Sequence, residues 1–262
     1  MLQTVTDATV SVDVAGWRGW FGPHRISVVI PTLNEAENLK LVLPRIPDWV
    51  DEVILVDGHS TDDTIAVALE NLPSIKIVSQ KGRGKGEALR QGFSAASGDV
   101  IVMLDADGST DPTEIPLFVG ALVSGADFAK GTRFVQGGGS ADLGLVRRLG
   151  NLGFTLMFRV LFRNRCTDLC YGYNAFWASV VPLLQLDADG FDVEAQMNVR
   201  ALRARLRVVE VPSYEAERYR GVSHLRTFRD GWRVLGTIWR EWLDHRAAAL
   251  RQVAQPAVEE SA

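Results

Sequence analysis

Val100-Ile101-Val102-Met103-Leu104-Asp105-Ala106-Asp107-Gly108 is the stretch that decides the reading of this chain. Five apolar residues in a row, Val100 to Leu104, suit a strand buried on both faces, the kind found in parallel sheets covered by helices. Two carboxylates follow, two residues apart. Residues i and i+2 of an extended segment project from one face, so Asp105 and Asp107 leave the sheet edge together. Paired carboxylate oxygens can seat Mg²⁺ or Mn²⁺ on a phosphorylated ligand, with positions left open for phosphate. A solvated turn would use the same pair; the carboxyl end of a buried strand, where open α/β sheets bind ligands, favours the metal.

Outward from this stretch the pattern alternates. Ile26 to Ile30 is a β-branched run ended by Pro31, Val53 to Val56 one ended by Asp57, and Ile75 to Val78 and Asp127 to Lys130 complete the set. Helical spacing falls between them, over Glu35 to Ile46, Thr61 to Leu72, Glu87 to Ala96 and Thr113 to Ser124. Asp62 and Asp63 are expected in the first turn of the second helix, where carboxylates suit the helix dipole. Strand and helix in alternation predict βαβ units with right-handed crossovers, hence an α/β, doubly wound and mostly parallel sheet with flanking helices.

After Arg133 the regularity stops. Gln136-Gly137-Gly138-Gly139-Ser140 offers no side chains to pack and reads as a ligand-covering loop or hinge. Leu143 to Phe162 is apolar on nearly every side of a helical wheel yet carries Arg147, Arg148 and Arg159, with Arg163 just beyond; such a helix is buried or lies against lipid with its arginines snorkelling. Ala175 to Trp177 reads as a strand, Val193 to Ala204 as a helix and Val208 to Val211 as another strand. From Phe228 a last, amphipathic helix puts Phe228, Trp232, Leu235, Trp239, Trp242 and Leu243 on one face, with Arg229, Arg233, Arg240, Glu241 and Asp244 opposite. The expected organisation is a tail at 1–24, a domain at 25–227, the amphipathic helix at 228–251 and a tail at 252–262.

The 262 residues, 47% of them hydrophobic, can fill a sizeable core, and a net charge of −4 argues against a general nucleic-acid binder. Cys166 and Cys170 are too few for a zinc site and wrongly spaced for a redox C-x-x-C, so core thiols in a reducing compartment are expected. Asp7 and Asp13, with no basic segment leading into an apolar one, argue against a signal peptide. No apolar run approaches the ~18 to 20 residues that span a bilayer.

The loops at the strand ends belong together. They are Pro31-Thr32-Leu33-Asn34-Glu35, Asp57-Gly58-His59-Ser60-Thr61-Asp62-Asp63-Thr64, Gly82-Arg83-Gly84-Lys85-Gly86 and Asp105-Ala106-Asp107-Gly108-Ser109. Their order and spacing resemble the family 2 glycosyltransferases of GT-A fold, most closely the branch of dolichol-phosphate mannosyltransferases and bacterial polyprenyl-phosphate hexosyltransferases. Gly131-Thr132-Arg133-Phe134 is similar to that family's G-S-R-Y segment, Asp168 to Tyr173 to its D-x-x-x-G-F/Y stretch, and Gly190-Phe191-Asp192-Val193-Glu194 to its G-F-x-x-E block. Arg218 to Leu225 resembles R-x-x-G-x-S-K-L, with His224 where lysine is usual. Ser109 stands where some relatives have a metal-contacting glutamine, which leaves metal coordination to the carboxylates and water.

The resemblance implies an enzyme that transfers a hexose from a nucleotide diphosphate sugar, GDP-mannose or UDP-glucose in type, to a polyprenyl phosphate. Pro31, Thr32, Asn34, Glu35, Asp57, Lys85 and Asp105 would bind the nucleotide. Asp57 would serve equally as a helix N-cap, and Lys85 as a solvated loop lysine. Asp105 and Asp107 would hold Mg²⁺ or Mn²⁺, and Arg218 would help stabilise the departing nucleotide. A polyprenyl phosphate is already anionic and needs a cationic cradle rather than a base; Arg133 and Arg147 are the candidates, with Asn151 and Ser223 beside them, although Arg147 could be an exposed helix arginine. One in-line displacement would invert the anomeric configuration.

A hydroxyl acceptor would instead require a general base, Asp192 or Glu194. A non-catalytic nucleotide-binding scaffold is the remaining alternative. The expected location is cytoplasmic, peripheral on the cytoplasmic face of the membrane, with a membrane surface as partner and room for a homo-oligomer or a membrane partner protein.

Overall fold

The computed structural model describes residues 17–221 and 225–254. A helical turn, α1 (Trp17–Trp20), leads to β1 (Ile26–Thr32), α2 (Ala36–Val42), β2 (Glu52–Asp57), α3 (Thr64–Asn71), β3 (Lys76–Ser79), α4 (Lys85–Ala95), β4 (Val100–Met103), α5 (Ile115–Val123) and β5 (Phe128–Thr132). There follow β6 (Gly139–Ser140), α6 (Leu145–Phe162), β7 (Asn174–Trp177), α7 (Val181–Leu184), α8 (Val193–Arg203), β8 (Val208–Pro212), β9 (Tyr214–Glu215) and α9 (Thr227–Ala254).

Seven strands form one sheet in the order β3-β2-β1-β4-β7-β5-β8. β1, β2, β3 and β4 run parallel, as do β5 and β8, while β7 runs antiparallel between β4 and β5. Alternation along β1 sends Ile26, Val28 and Ile30 into the core under α2, α3 and α5, and Val29 into the core under α4 and α8. α4 lies so close to the sheet that a Cβ on Gly92 would come within 2.3 Å of Val29. A third cluster joins Phe158 and Phe162 of α6, Val199 of α8 and Val234 and Ile238 of α9.

The mostly parallel α/β sheet is present as expected, with several differences. One strand interrupts the parallel order: β7, whose Ala175 and Phe176 are buried on opposite faces, lies between β4 and β5 and runs antiparallel to both. β3 is an edge strand with Lys76 and Ser79 exposed. Asp62 and Asp63 precede α3 rather than sit in its first turn; the Asp62 carboxylate accepts from the Ala36 and Thr64 backbone N–H groups and ties two loops together. Part of the glycine stretch is an element after all, since Gly139–Ser140 pairs in parallel with Tyr214–Glu215.

Each of the two long amphipathic helices is covered on one face only. α6 buries Asn151, Thr155, Phe158 and Phe162, and turns Leu145, Val146, Leu149, Leu156 and Val160 outward. α9 packs through Asp230, Val234, Thr237, Ile238 and Glu241, so Asp230 and Glu241 are core-facing, whereas Phe228 and Trp232 are 79% and 72% exposed. Glu241 is buried because Arg200, Arg203 and Gln196 of α8 all donate to it. Phe21, inside the expected N-terminal tail, is buried against Trp49, and α9 continues through Ala254 into the expected C-terminal one. Cys166 and Cys170 are free and half-buried beside the third cluster; burial pushes the Cys166 thiol up to about 11.

Candidate active site

The strand order reverses between β1 and β4, and the loops that leave their carboxyl ends open a crevice there. The loops after β1 and β2 are stitched together. Gly58 N–H donates to the Thr32 carbonyl, Asn34 N–H to Ser60 Oγ, and Thr61 N–H to Asn34 Oδ1 at 2.7 Å. Asn34 holds φ 55° in this turn, a conformation asparagine tolerates better than most side chains. Asp57 is buried at the end of β2, with Ser60 N–H 3.3 Å from both of its oxygens.

Deeper in the crevice four carboxylates meet two cations. Lys85 Nζ lies 2.7 Å from Asp105 Oδ1 and 2.7 Å from Glu194 Oε1. Arg218 reaches Glu35 Oε1 at 2.7 Å with one nitrogen and Asp107 Oδ2 at 2.8 Å with the other. The other Asp107 oxygen accepts from Ser109 N–H at 2.9 Å and Ser109 Oγ at 2.7 Å. Burial opposes charge on Lys85, but Asp105 and Glu194 hold its ammonium well above the ordinary amine range. Burial pushes the Glu194 carboxyl up, against the pull of Lys85. Gly172 passes just beneath: a Cβ there would lie 2.6 Å from Glu194 Oε1 and 2.9 Å from Lys85 Nζ.

Among the described residues no three histidine, cysteine or carboxylate side chains form a ready metal cage. Asp105 and Asp107 instead supply hard oxygens on the wall of an open cavity, where carboxylates outnumber cations. That arrangement fits a divalent ion whose coordination is completed by ligand phosphates and water.

The second group of predicted residues lies between β5, α6 and the Asp168 loop. Arg133 is buried and committed: Nε and one terminal nitrogen donate to Asp168 at 2.7 and 2.9 Å, and the other to Glu215 at 2.9 Å. Burial would raise the Asp168 carboxyl, yet Arg133 holds it below the usual carboxylate range. Asn151 donates to Asp168 at 2.8 Å and accepts from Cys170 N–H, so it braces the same loop. Arg147 is freer, with its carboxylate neighbour Asp142 at 3.8 Å.

Pro31, Thr32, Glu35, Lys85, Asp105, Asp107, Arg133, Arg147, Asn151 and Arg218 all line a single cavity of about 900 Å³. Asn34 and Asp57 stand behind its wall and shape the loops that form it. Ser223 and His224 lie outside the described residues. The cavity has two ends. Beyond the charged cluster it continues along Val146, Gly150 and Phe154 of α6 and Phe228, Trp232 and Leu235 of α9. Gln80, Tyr171 and Glu215 also line it; Tyr171 falls within the Asp168 to Tyr173 stretch without being singled out there, while Gln80 and Glu215 carry no local signal in the sequence. Asp192 is outside the cavity, its carboxylate accepting from Thr237 Oγ1 at 2.8 Å.

Comparison with known proteins agrees with this geometry. The family model described as Glycosyl transferase family 2 matches residues 27–181. A dolichol-phosphate mannosyltransferase of Pyrococcus furiosus is 33% identical over 77% of this chain, which spans only 59% of that relative's length. An undecaprenyl-phosphate mannosyltransferase of Micrococcus luteus is 34% identical over 77% of this chain and 87% of its own. Among solved structures, a Mycobacterium tuberculosis glucosyl-3-phosphoglycerate synthase in complex with Mn²⁺, UDP and glucosyl-3-phosphoglycerate superposes with a TM-score of 0.70 at 26% identity, covering 88% of this chain and 84% of that one.

Proposed function

This chain belongs to glycosyl transferase family 2, and on that premise we propose that it moves a hexose from a nucleotide diphosphate sugar to a polyprenyl phosphate with inversion at the anomeric carbon. The observation that carries the reading is the two-ended cavity: a charged end at the sheet's switch point, and an apolar end between α6 and α9 that a small polar acceptor would not need. The named activities of the two mannosyltransferase relatives support it.

In this reading the loops after β1 and β2 grip base and ribose, with Asp57 accepting from ring N–H or hydroxyl groups. Asp105 and Asp107 would hold Mg²⁺ or Mn²⁺, which when bound supplies positive charge to the diphosphate. Arg218 and Lys85 are the chain's own cations beside those carboxylates. The acceptor phosphate sits against Arg147, with Arg133 as a fixed positive wall braced by Asp168 and Glu215. Its oxygen attacks the anomeric carbon, the bond from that carbon to the diphosphate oxygen breaks, and an α-linked donor yields a β-linked lipid phosphate. No protein base is required.

The lipid tail is expected to leave by the apolar end, and a membrane surface is the partner that end fits. From Leu143 to Arg165 the chain carries Arg147, Arg148, Arg159, Arg163 and Arg165 and no acid, alongside the outward apolar face of α6. Arginines flanking exposed leucines suit an anionic interface. No helix of the described residues is long and apolar enough to cross a membrane.

A hydroxyl acceptor is the second reading, favoured by the likeness to the glucosyl-3-phosphoglycerate synthase. Glu194 would then be the base, but its carboxylate is engaged by Lys85. Release of nucleoside diphosphate, followed over GDP-mannose and UDP-glucose, separates the two. Turnover on adding polyprenyl phosphate and none on adding a sugar alcohol or phosphoglycerate is expected; the reverse pattern would overturn the lipid reading.

A further inference from the structure

The segment Ala216 to Arg220 lies as a strap along the turn that carries Asp107. Ala216 N–H donates to the Ser109 carbonyl at 2.9 Å, and Tyr219 N–H to the Asp107 carbonyl at 3.1 Å. Asn38 of α2 donates to the Arg220 carbonyl at 3.1 Å. The strap is pinned by Tyr219. Its ring rests on Gly108, where a Cβ would come within 2.2 Å of the ring, and Gly108 holds φ +81°. Glycine is therefore required there twice, by the backbone angle and by the aromatic above it. The Tyr219 hydroxyl accepts from Arg45 at 2.6 Å, and the other Arg45 nitrogen reaches Asp111 at 2.6 Å.

Pinned in this way, the strap delivers Arg218 to Glu35 and Asp107. A guanidinium 2.8 Å from Asp107 competes directly with any other cation for that carboxylate, in a half-buried place where screening by water is reduced. We propose that Tyr219 is a positioning residue of the donor site: it fixes Arg218 as a tethered cation on Asp107, which a divalent ion arriving alone must displace and which an arriving diphosphate draws away. The site then takes metal and nucleotide together rather than either one singly. Coupling of this kind is reciprocal, so each ligand strengthens the other by the same factor. The inference rests on the metal-dependent reading above and adds to it a residue and an order of events.

The test uses the full chain and Mn²⁺ alone as the probe, with the paramagnetic resonance signal of the free ion as readout, first without nucleotide and then with GDP or UDP. Arg218→Ala and Tyr219→Ala are each expected to tighten Mn²⁺ binding to the nucleotide-free protein, about tenfold for Arg218→Ala and somewhat less for Tyr219→Ala, because a charge beside the carboxylate is removed or set loose. Both are expected to weaken nucleotide binding in the presence of Mn²⁺. Tyr219→Phe keeps the ring on Gly108 and should stay near the parent protein. A general loss of structure would weaken both ligands in parallel, so opposite movement is the signature. Unchanged or weaker Mn²⁺ binding in Arg218→Ala, while the parent binds Mn²⁺ with nucleotide present, overturns the inference and leaves the metal-dependent reading standing. If no form binds Mn²⁺ even with nucleotide, that reading falls and the inference with it.

Discussion

Replacing Lys85 by methionine tests whether the charged cluster is held by the balance described above. Lys85 and Glu194 have side chains only 11% and 7% exposed, with Nζ 2.7 Å from Oε1. Asp105, at 28%, keeps more contact with water and contributes less to the cost. Removing one partner of a buried pair typically costs about 3–5 kcal/mol, because the remaining charge is left without compensation. With one well-buried carboxylate stranded, the expected loss is about 3 kcal/mol near pH 8. The pH dependence supplies a second handle. Burial already pushes the Glu194 carboxyl up, and without Lys85 it rises further. A raised native value means that the folded state binds the proton more readily than the unfolded one. Stability is therefore best retained below the ordinary carboxylate range and is lost as pH rises through the raised value. Urea unfolding followed by tryptophan fluorescence at pH 5 and pH 8 should show the Lys85→Met deficit growing with pH. Lys85→Met combined with Glu194→Gln should recover most of it at pH 8. A deficit under about 1 kcal/mol at pH 8, or one that is the same at both pH values, refutes the reasoning.

Asp107→Asn should lower turnover more than ~100-fold with the fold retained by circular dichroism, and activity persisting in excess EDTA would contradict a metal held by the Asp105 and Asp107 pair. Arg147→Ala should raise the KM for polyprenyl phosphate about tenfold and leave nucleotide affinity unchanged in a binding titration; equal loss on both sides would remove Arg147 from the acceptor role. In liposome flotation with anionic lipid, Leu149→Glu with Leu156→Glu, and separately Phe228→Glu with Trp232→Glu, should each reduce binding, since all four side chains are exposed. Flotation unaffected by either pair would exclude these helix faces.

Much of the site was legible because it is local. Asp105 and Asp107 follow the apolar run of β4, and Pro31 to Glu35 follows that of β1, so strand periodicity and strand ends predict where these residues emerge. Lys85, which the sequence places in a glycine loop ahead of a helix at Glu87, opens α4 itself, directly after a glycine at φ +99°. What each of these groups touches is not local. Lys85 meets Glu194 across 109 positions, and Arg218 meets Glu35 across 183. The resemblance marks Arg133 as part of a phosphate cradle, whereas the structure spends its donors on Asp168 and Glu215, both remote in sequence.

By itself the sequence determined the main strands and helices of the parallel half of the sheet and the edge at which the carboxylates gather, since short-range periodicity and strand-end chemistry govern them; α1, β6, α7 and β9 carry no such pattern. Only the tertiary structure decided which face of each long helix is covered. On α9 the aromatic stripe suits the core and a membrane surface equally; Val234, Ile238 and the charged Asp230 and Glu241 turn inward while Phe228 and Trp232 stay out. Burying Glu241 is tolerable only because Arg200 and Arg203 are waiting on α8, at 2.7 and 2.6 Å. The insertion of β7 between β4 and β5 has the same origin, a pairing between Met103 and Asn174 that no local pattern encodes. Periodicity says that a segment has an apolar face; the hydrogen-bonding and charged partners that make one particular face the buried one come from parts of the chain far away in sequence.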